Sequence, residues 1–343
     1  MFIVRADGNA KIGAGHLMRC LTIGDAVRSN AGADWYEEIL FLCADEDSAA
    51  LVERHGFRAG VLHTDYRQPE TELAVWDSWV GEGSNTILAD SYYVTDDYLS
   101  ALSRYGIVYL MDDMQRHAYP VDGIINYNLF ADRAVYESLY PAGNVRLCLG
   151  GDYIPLREQF RGVSYHVGDA VQNVLLTTGG GDADNIAGAV LDGIYRQDIV
   201  YHVLVGRFSP HFESWQERAR KAQNIRIYFD VQDMAGLMCQ CDLAVSAGGS
   251  TLYELAAVGV PFVCFSYAEN QEALVEYLGG TQAACSAGAW HRDAADTQER
   301  LRLHFEQLCA SYSLRQQYSD RERQLVDGQG ACRLARILCG GNV

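Results

Sequence analysis

Apolar residues in this chain fall in short, β-rich runs separated by helix-like segments and by polar or glycine-rich breaks. FIVRAD, EILFLCAD, TILADS, IVYLMDD and GIINYN punctuate the first part, and NVLLTTGG, IVYHVLVG, NIRIYFD, CDLAVSAGG and VPFVCFSY the second. A strand that reads as a near-continuous apolar run is buried on both faces, and strands alternating with helices imply right-handed β-α-β crossovers. The pattern predicts an α/β protein with parallel sheets covered on both sides.

The rhythm breaks at LCLGGDYIPLR, Leu147 to Arg157, where Gly150, Gly151 and Pro155 suit an interdomain link. The strand–glycine–helix pattern restarts at Asn173. Two Rossmann-like doubly wound domains are therefore expected, 1–150 and 158–312, with the carboxyl ends of their strands facing a cleft. Residues 313–343, charged and helical from about Ser313 to Leu338, are expected to pack back on the first domain. A length of 343 residues exceeds what one core usually fills, which agrees with two domains.

Composition, 49% hydrophobic and 21% charged, is that of a folded chain, but the net charge of -18 narrows its partners. Nucleic acid and anionic membrane surfaces are polyanions and are repelled at long range. A small anionic ligand is not excluded, because backbone N–H groups at a helix N-terminus hold phosphate without net positive charge. The 10 cysteines are scattered, several within apolar stretches, and follow no paired spacing. That usage suits a reducing compartment. The start of the chain enters a strand without a secretory pattern, and no apolar run approaches the ~20 residues that span a bilayer. A cytoplasmic protein without membrane insertion is expected.

Chemistry concentrates in the glycine-rich connections. In ADGNAKIGAGHLMRCLTIGDAV a strand ends at Asp7, and a loop with Gly8, Gly13 and Gly15 leads into a helix beginning near His16. Glycines permit close backbone approach, and a helix start offers unpaired N–H groups to a phosphate or sugar. The dinucleotide fingerprint is incomplete, since Met18 stands where its third glycine belongs, although Asp45 after the second strand suits a ribose contact. His16 at that mouth fits a general base kept neutral by the helix N-terminus. It fits equally a histidine that caps its helix or packs on the sheet.

SAGGSTLYELAAVGVPFVCFSYAENQE supplies a second anion site: the Gly248–Gly249–Ser250 turn, the hydroxyls of Ser250 and Thr251 for a diphosphate, and Glu254 one turn on for ribose hydroxyls. A plain tight turn is the alternative. TTGGGDADN, Thr177 to Asn185, places Gly180 at another helix start, where Asp182 and Asp184 argue for a cap or hinge rather than direct phosphate contact. Asp90, Ser91, Tyr92 and Tyr93 follow one first-domain strand, and Asp112 with Asp113 follow the next. Carboxylates there can orient a histidine or contact sugar hydroxyls. The Asp112–Asp113 pair and the Cys239–Gln240–Cys241 pair lack further ligands, so neither magnesium nor zinc is expected.

IGAGHLMRCLTI, ILADSYYV, LMDDM, IINYN, LGGDYIPLREQF, LLTTGGGDADN, SAGGSTLYELAAVGVP and YAENQE occur in an order that resembles the UDP-sugar hydrolases of pseudaminic acid biosynthesis, over about Met1 to Glu272. That family is related to spore-coat polysaccharide biosynthesis proteins and, more distantly, to two-Rossmann-domain (GT-B) glycosyltransferases. The resemblance implies hydrolysis of UDP-2,4-diacetamido-2,4,6-trideoxy-β-L-altrose by water attack at the anomeric carbon, with inversion and without metal or other cofactor. It implies His16 as base, with Tyr92 and Asn270 as further catalytic residues. It also implies Gly248, Gly249, Ser250 and Glu254 as the nucleotide site; Gly13, Gly15, Gly180, Thr251 and Gln271 are further candidates for contact with the substrate, and Asp113 lies in a family-like segment. Asn128 lies in a family-like segment. Tyr93, where a smaller residue is expected, and a C-terminal extension depart from the family and leave the sugar open.

The leading expectation is hydrolysis of a UDP-linked deoxyamino sugar. A glycosyltransferase, with His16 deprotonating an acceptor hydroxyl instead of water, is the rival. A non-catalytic nucleotide-sugar binding protein is the third possibility, against which an intact His16 weighs.

Overall fold

The structure is a computed structural model that describes residues 1–9, 11–31, 38–206 and 209–340. The chain divides into two compact units, Met1–Arg157 with the segment from Gln329 onward, and Glu158–Gly328.

The first unit carries a seven-stranded, wholly parallel sheet: β1 (Phe2–Ala6), β2 (Ile39–Cys43), β3 (Arg58–Val61), β4 (Asn85–Asp90), β5 (Gly106–Met111), β6 (Gly123–Asn126) and β7 (Arg146–Leu149), in the order 3-2-1-4-5-6-7. The second carries six parallel strands, β8 (Asn173–Thr177), β9 (Val200–Leu204), β10 (Ile225–Tyr228), β11 (Leu243–Ala247), β12 (Phe262–Ser266) and β13 (Cys285–Ala289), in the order 10-9-8-11-12-13. Both are doubly wound. The strand order reverses between β1 and β4 in one and between β8 and β11 in the other, and ligands of such sheets bind outside the carboxyl ends at that reversal.

The apolar runs form the inner strands and the outermost strand β10, as their pattern predicts. Side chains of β1 alternate between two layers: Phe2, Val4 and Ala6 face Leu17, Cys20 and Leu21, while Ile3 faces the layer of Leu40, Trp76 and Tyr98. Three strands were not predicted, β3, β7 and β13. Each is the outermost strand of its sheet, and β3 (RAGV) and β13 (CSAGA) are built of small residues with little apolar surface. The expected link therefore begins later, because Arg146–Leu149 is β7.

Residues 313–338 form two helices rather than one. Tyr312–Leu325 belongs to the second unit, and only Gly330–Leu338, beyond a turn at Gly328, joins the first. There Leu334, Ile337 and Leu338 share the core of the Gly15–Ala31 helix. No helix among the described residues is long and apolar enough to cross a membrane.

Candidate functional site

In the first unit the loop after β1 is held from inside. Asn9 accepts from the backbone N–H of Gly13 through its carbonyl (2.9 Å) and of Lys11 through Oδ1 (2.9 Å), and Gly13 turns at φ +76°, a conformation that favours glycine. The Asn9 side-chain amide donates to Asp45 Oδ2 at 2.8 Å, and Gly8 N–H donates to Ser48 Oγ at 3.0 Å. Asp45 also caps the Glu46–Arg54 helix through Ser48 N–H. The contacts that a dinucleotide ribose would need are already spent on this loop, and Met18 packs against the core. Gly13 and Gly15 lie exposed at the mouth.

His16 stands at the helix start directly over the β1/β4 reversal, where Ala6 pairs with Asp90. Its Nδ1 lies 2.6 Å from Asp90 Oδ1. Arg19, one turn along the same helix, forks onto Asp90 through Nε and Nη2, both at 2.6 Å, and reaches Asp113 Oδ2 (2.8 Å) and Tyr127 OH (3.0 Å) through Nη1. Burial alone would push the Asp90 carboxyl up, but the Arg19 guanidinium, helped by His16, holds it well below the usual carboxylate range. Tyr92 meets His16 edge-on at 4.5 Å between ring centroids and donates to Asp113 Oδ2 at 3.1 Å. Burial and the Asp113 charge raise that phenol, so it stays protonated. Asn128 donates to Asp113 Oδ1 at 3.3 Å.

A cavity of about 150 Å³ opens beside these groups, lined by Asp7, Ile12, His16, Tyr66, Asp90, Ser91, Tyr92 and Tyr93. No hydrogen bond among the described residues engages His16 Nε2. An imidazole whose Nδ1–H is donated to a carboxylate presents a lone pair at Nε2, the nitrogen available for proton transfer; the tautomer is assigned from this contact. Asp112 turns away from Asp113. It accepts from Met114 and Gln115 N–H and from Tyr136 OH, so the two carboxylates do not converge. Among the described residues no group of three or more His, Cys, Asp or Glu side chains is placed to hold a metal ion.

The second unit repeats the arrangement at the β8/β11 reversal. Past β11 the chain runs through Gly248 and Gly249 into the Ser250–Val258 helix, whose first N–H groups have no side-chain cap. A Cβ on Gly248 would stand 2.7 Å from Gln271 Cβ, so glycine is required for this close approach. Gln271 in turn accepts from Tyr267 N–H at 3.0 Å. Ser250 is exposed, Thr251 and Glu254 are half-buried, and Asn270 is exposed in the first turn of the Glu269–Gly280 helix.

After β8, Gly180 lies in an open loop, but the following Ile186–Ile194 helix has its own anion. Asp182 accepts from Ile186 N–H (2.7 Å) and Ala187 N–H (3.0 Å). Gly180 is left to act through loop backbone alone. His16, Tyr92 and Asp113 thus come together on the first unit, and Asn270, Gln271, Glu254 and the Gly248–Thr251 turn lie on the second. Sequence reasoning did not single out Arg19, Tyr127 or Tyr66. For Arg19 a signal existed, since position i+3 from His16 lies on the same helix face.

Among solved structures, MurG of Acinetobacter baumannii superposes with a TM-score of 0.66 over 99% of both chains at 14% identity. UGT71G1 of Medicago truncatula, solved with UDP-glucose, gives 0.64 over 99% of this chain and 98% of that one at 10% identity. The fold is that of the two-Rossmann-domain, GT-B type glycosyltransferases.

Sequence relatives are more particular. The chain is 26% identical over 342 residues to the spore coat polysaccharide biosynthesis protein SpsG of Bacillus subtilis, covering 97% of this chain and 96% of that protein. It is 22% identical over 279 residues to the UDP-2,4-diacetamido-2,4,6-trideoxy-beta-L-altropyranose hydrolase of Campylobacter jejuni, covering 80% of this chain and 95% of that one. These are relatives of the kind that the motif order resembles. No family model matches the chain.

Proposed function

We propose that the chain hydrolyses a UDP-linked deoxyamino sugar in the cytoplasm, in nonulosonic acid or surface polysaccharide biosynthesis. The observation that carries this reading is the His16–Asp90 contact: a buried carboxylate takes Nδ1 of a ring that lines the cavity, and no hydrogen bond among the described residues engages Nε2. In this reading Nε2 accepts a proton from water while the water oxygen bonds to the anomeric carbon, and the bond from that carbon to the diphosphate oxygen breaks with inversion. UDP leaves with that electron pair. The uncapped start of the Ser250–Val258 helix would receive its charge, Glu254 would take the ribose, and Asn270 would assist at the sugar. No metal is needed for these steps. The hydrolase relative supports water as nucleophile.

Transfer of the same sugar to an acceptor is the second reading. What favours it is the relative named for polysaccharide biosynthesis, which matches a larger share of this chain than the hydrolase does. Incubation with UDP-sugars in the absence of any acceptor, following UDP and free sugar, separates the two, with His16→Ala as control. Turnover without acceptor, abolished in His16→Ala and indifferent to chelator, is expected. Turnover only after an acceptor is added would replace hydrolase by transferase.

A further inference from the structure

A carboxylate in contact with an imidazole has two effects, since it orients the ring and it stabilises the protonated form. A general base needs the first and is hindered by the second. The neighbours of His16 in the first unit are Asp90 from the end of β4, Arg19 from its own helix at 3.1 Å from Nδ1, and Tyr92 against the ring edge. Asp7, Tyr66 and Tyr93 share its cavity. The charge of Asp7 is spent elsewhere, on Arg5 and Ala44 N–H. Asp113 reaches His16 through Arg19 and through Tyr92, and Tyr127 reaches it through Arg19.

We propose that Arg19 is the positioning residue that separates these two effects: its fork shares the charge of Asp90, so that Asp90 fixes the Nδ1–H tautomer of His16 without retaining a second proton on the ring. Both Asp90 oxygens take part. Oδ2 accepts from Arg19 Nε, and Oδ1 is shared between Arg19 Nη2 and His16 Nδ1. The third guanidinium nitrogen is tied to Asp113 and Tyr127, so the fork is locked from the ends of β5 and β6 and cannot swing off Asp90 without breaking both bonds. The Arg19 cation also faces Nδ1 directly, which opposes a second positive charge on the ring. Nothing at the level of composition marks this arginine, yet it joins groups 71, 94 and 108 residues away.

The assignment rests on His16 being the base, but its first test does not need turnover. The whole chain, labelled with 15N, is titrated by NMR, and the His16 ring signals are assigned by their loss in His16→Gln. In Arg19→Met the titration midpoint of His16 is expected to rise by about one pH unit or more, since a counter-charge is removed while Asp90 remains. Asp90→Asn is expected to move it the other way. Arg19→Lys keeps the charge and loses the fork, so the midpoint changes little while the Nδ1–H tautomer loses population. If Arg19→Met does not fold, Arg19→Gln, neutral but polar, reports the same midpoint.

An unchanged midpoint in the neutral variants overturns the proposal whether or not the protein is a hydrolase. A raised midpoint sustains it even if no UDP-sugar is turned over. Where turnover is seen, the acid limb of kcat/KM follows the midpoint, kcat falls, and UDP affinity stays as in the wild type.

Discussion

Asp90 Oδ1 lies 2.6 Å from His16 Nδ1, and Asp90 is almost wholly removed from solvent at 1% exposure. A buried acceptor at that distance fixes which nitrogen carries the proton, and an amide in its place can turn a donor toward the ring instead. Asp90→Asn is expected to lower kcat/KM for UDP release by about 10²- to 10⁴-fold, the range of lost base orientation. Calorimetric titration with UDP should give an unchanged Kd, because the Gly248–Thr251 turn proposed to hold the nucleotide lies on the other unit.

Glu254 and Asn270 should fail differently. Loss of a charged hydrogen bond to ribose costs about 1.5–3 kcal/mol, so Glu254→Ala is expected to weaken UDP binding by about 10- to 100-fold. Asn270→Ala should keep UDP affinity and lose turnover. Gly248→Ala drives a methyl against Gln271 Cβ and should weaken UDP binding through the displaced turn. Equal losses of UDP affinity in Glu254→Ala and Asn270→Ala would contradict the separate roles.

Tyr93 packs edge-on against Tyr66, 5.6 Å between centroids, and both line the cavity beside His16. An aromatic wall suits a sugar with methyl or acyl substituents more than a fully hydroxylated one. Tyr93→Ala is expected to raise KM for a deoxyamino sugar by about 5- to 30-fold, the worth of one lost apolar contact. The measurement is a KM series over UDP-sugars of increasing polarity, which should flatten in the variant.

Glu322 is fully buried in the second unit, and burial pushes its carboxyl well above the usual range despite Arg323 and the backbone N–H of Phe262. A carboxyl whose folded pKa exceeds its unfolded value gives its full stability below the unfolded value, and that stability is lost as pH rises through the folded value. Thermal stability of the wild type should therefore fall relative to Glu322→Gln as pH rises above the ordinary carboxylate range, and at alkaline pH the variant should be the more stable of the two. A parallel pH dependence of the two proteins would place Glu322 among the ordinary ionised carboxylates.

The apolar runs and glycine turns of the sequence were enough for the sheets, because a strand covered on both faces must show its burial locally. Edge strands β3, β7 and β13 show no such run and were missed. The Tyr312–Leu325 helix was misplaced for a related reason: its buried face is Arg315, Ser319 and Glu322, a polar stripe with helical spacing. Arg315 donates there through Nη1 and Nη2 to the carbonyls of Leu308, Gly168 and Asp169. That His16, Tyr92 and Asp113 come together follows from their places after β1, β4 and β5, which the apolar runs located. That Asp182 caps its own helix, that Asp45 holds the loop of His16, and that Arg19 joins three strand ends depend on pairings across the fold, which no local pattern encodes.

The Gly330–Leu338 helix gives the first unit a particular order of assembly. The helix of His16 is made before the second unit, but the layer that covers it only after that whole unit has been synthesised. At about 5–20 residues per second the nascent first unit waits tens of seconds with that face uncovered, while Glu158–Gly328 can already close on itself. The half of the molecule that bears His16 is thus closed by a segment made after the other half is complete.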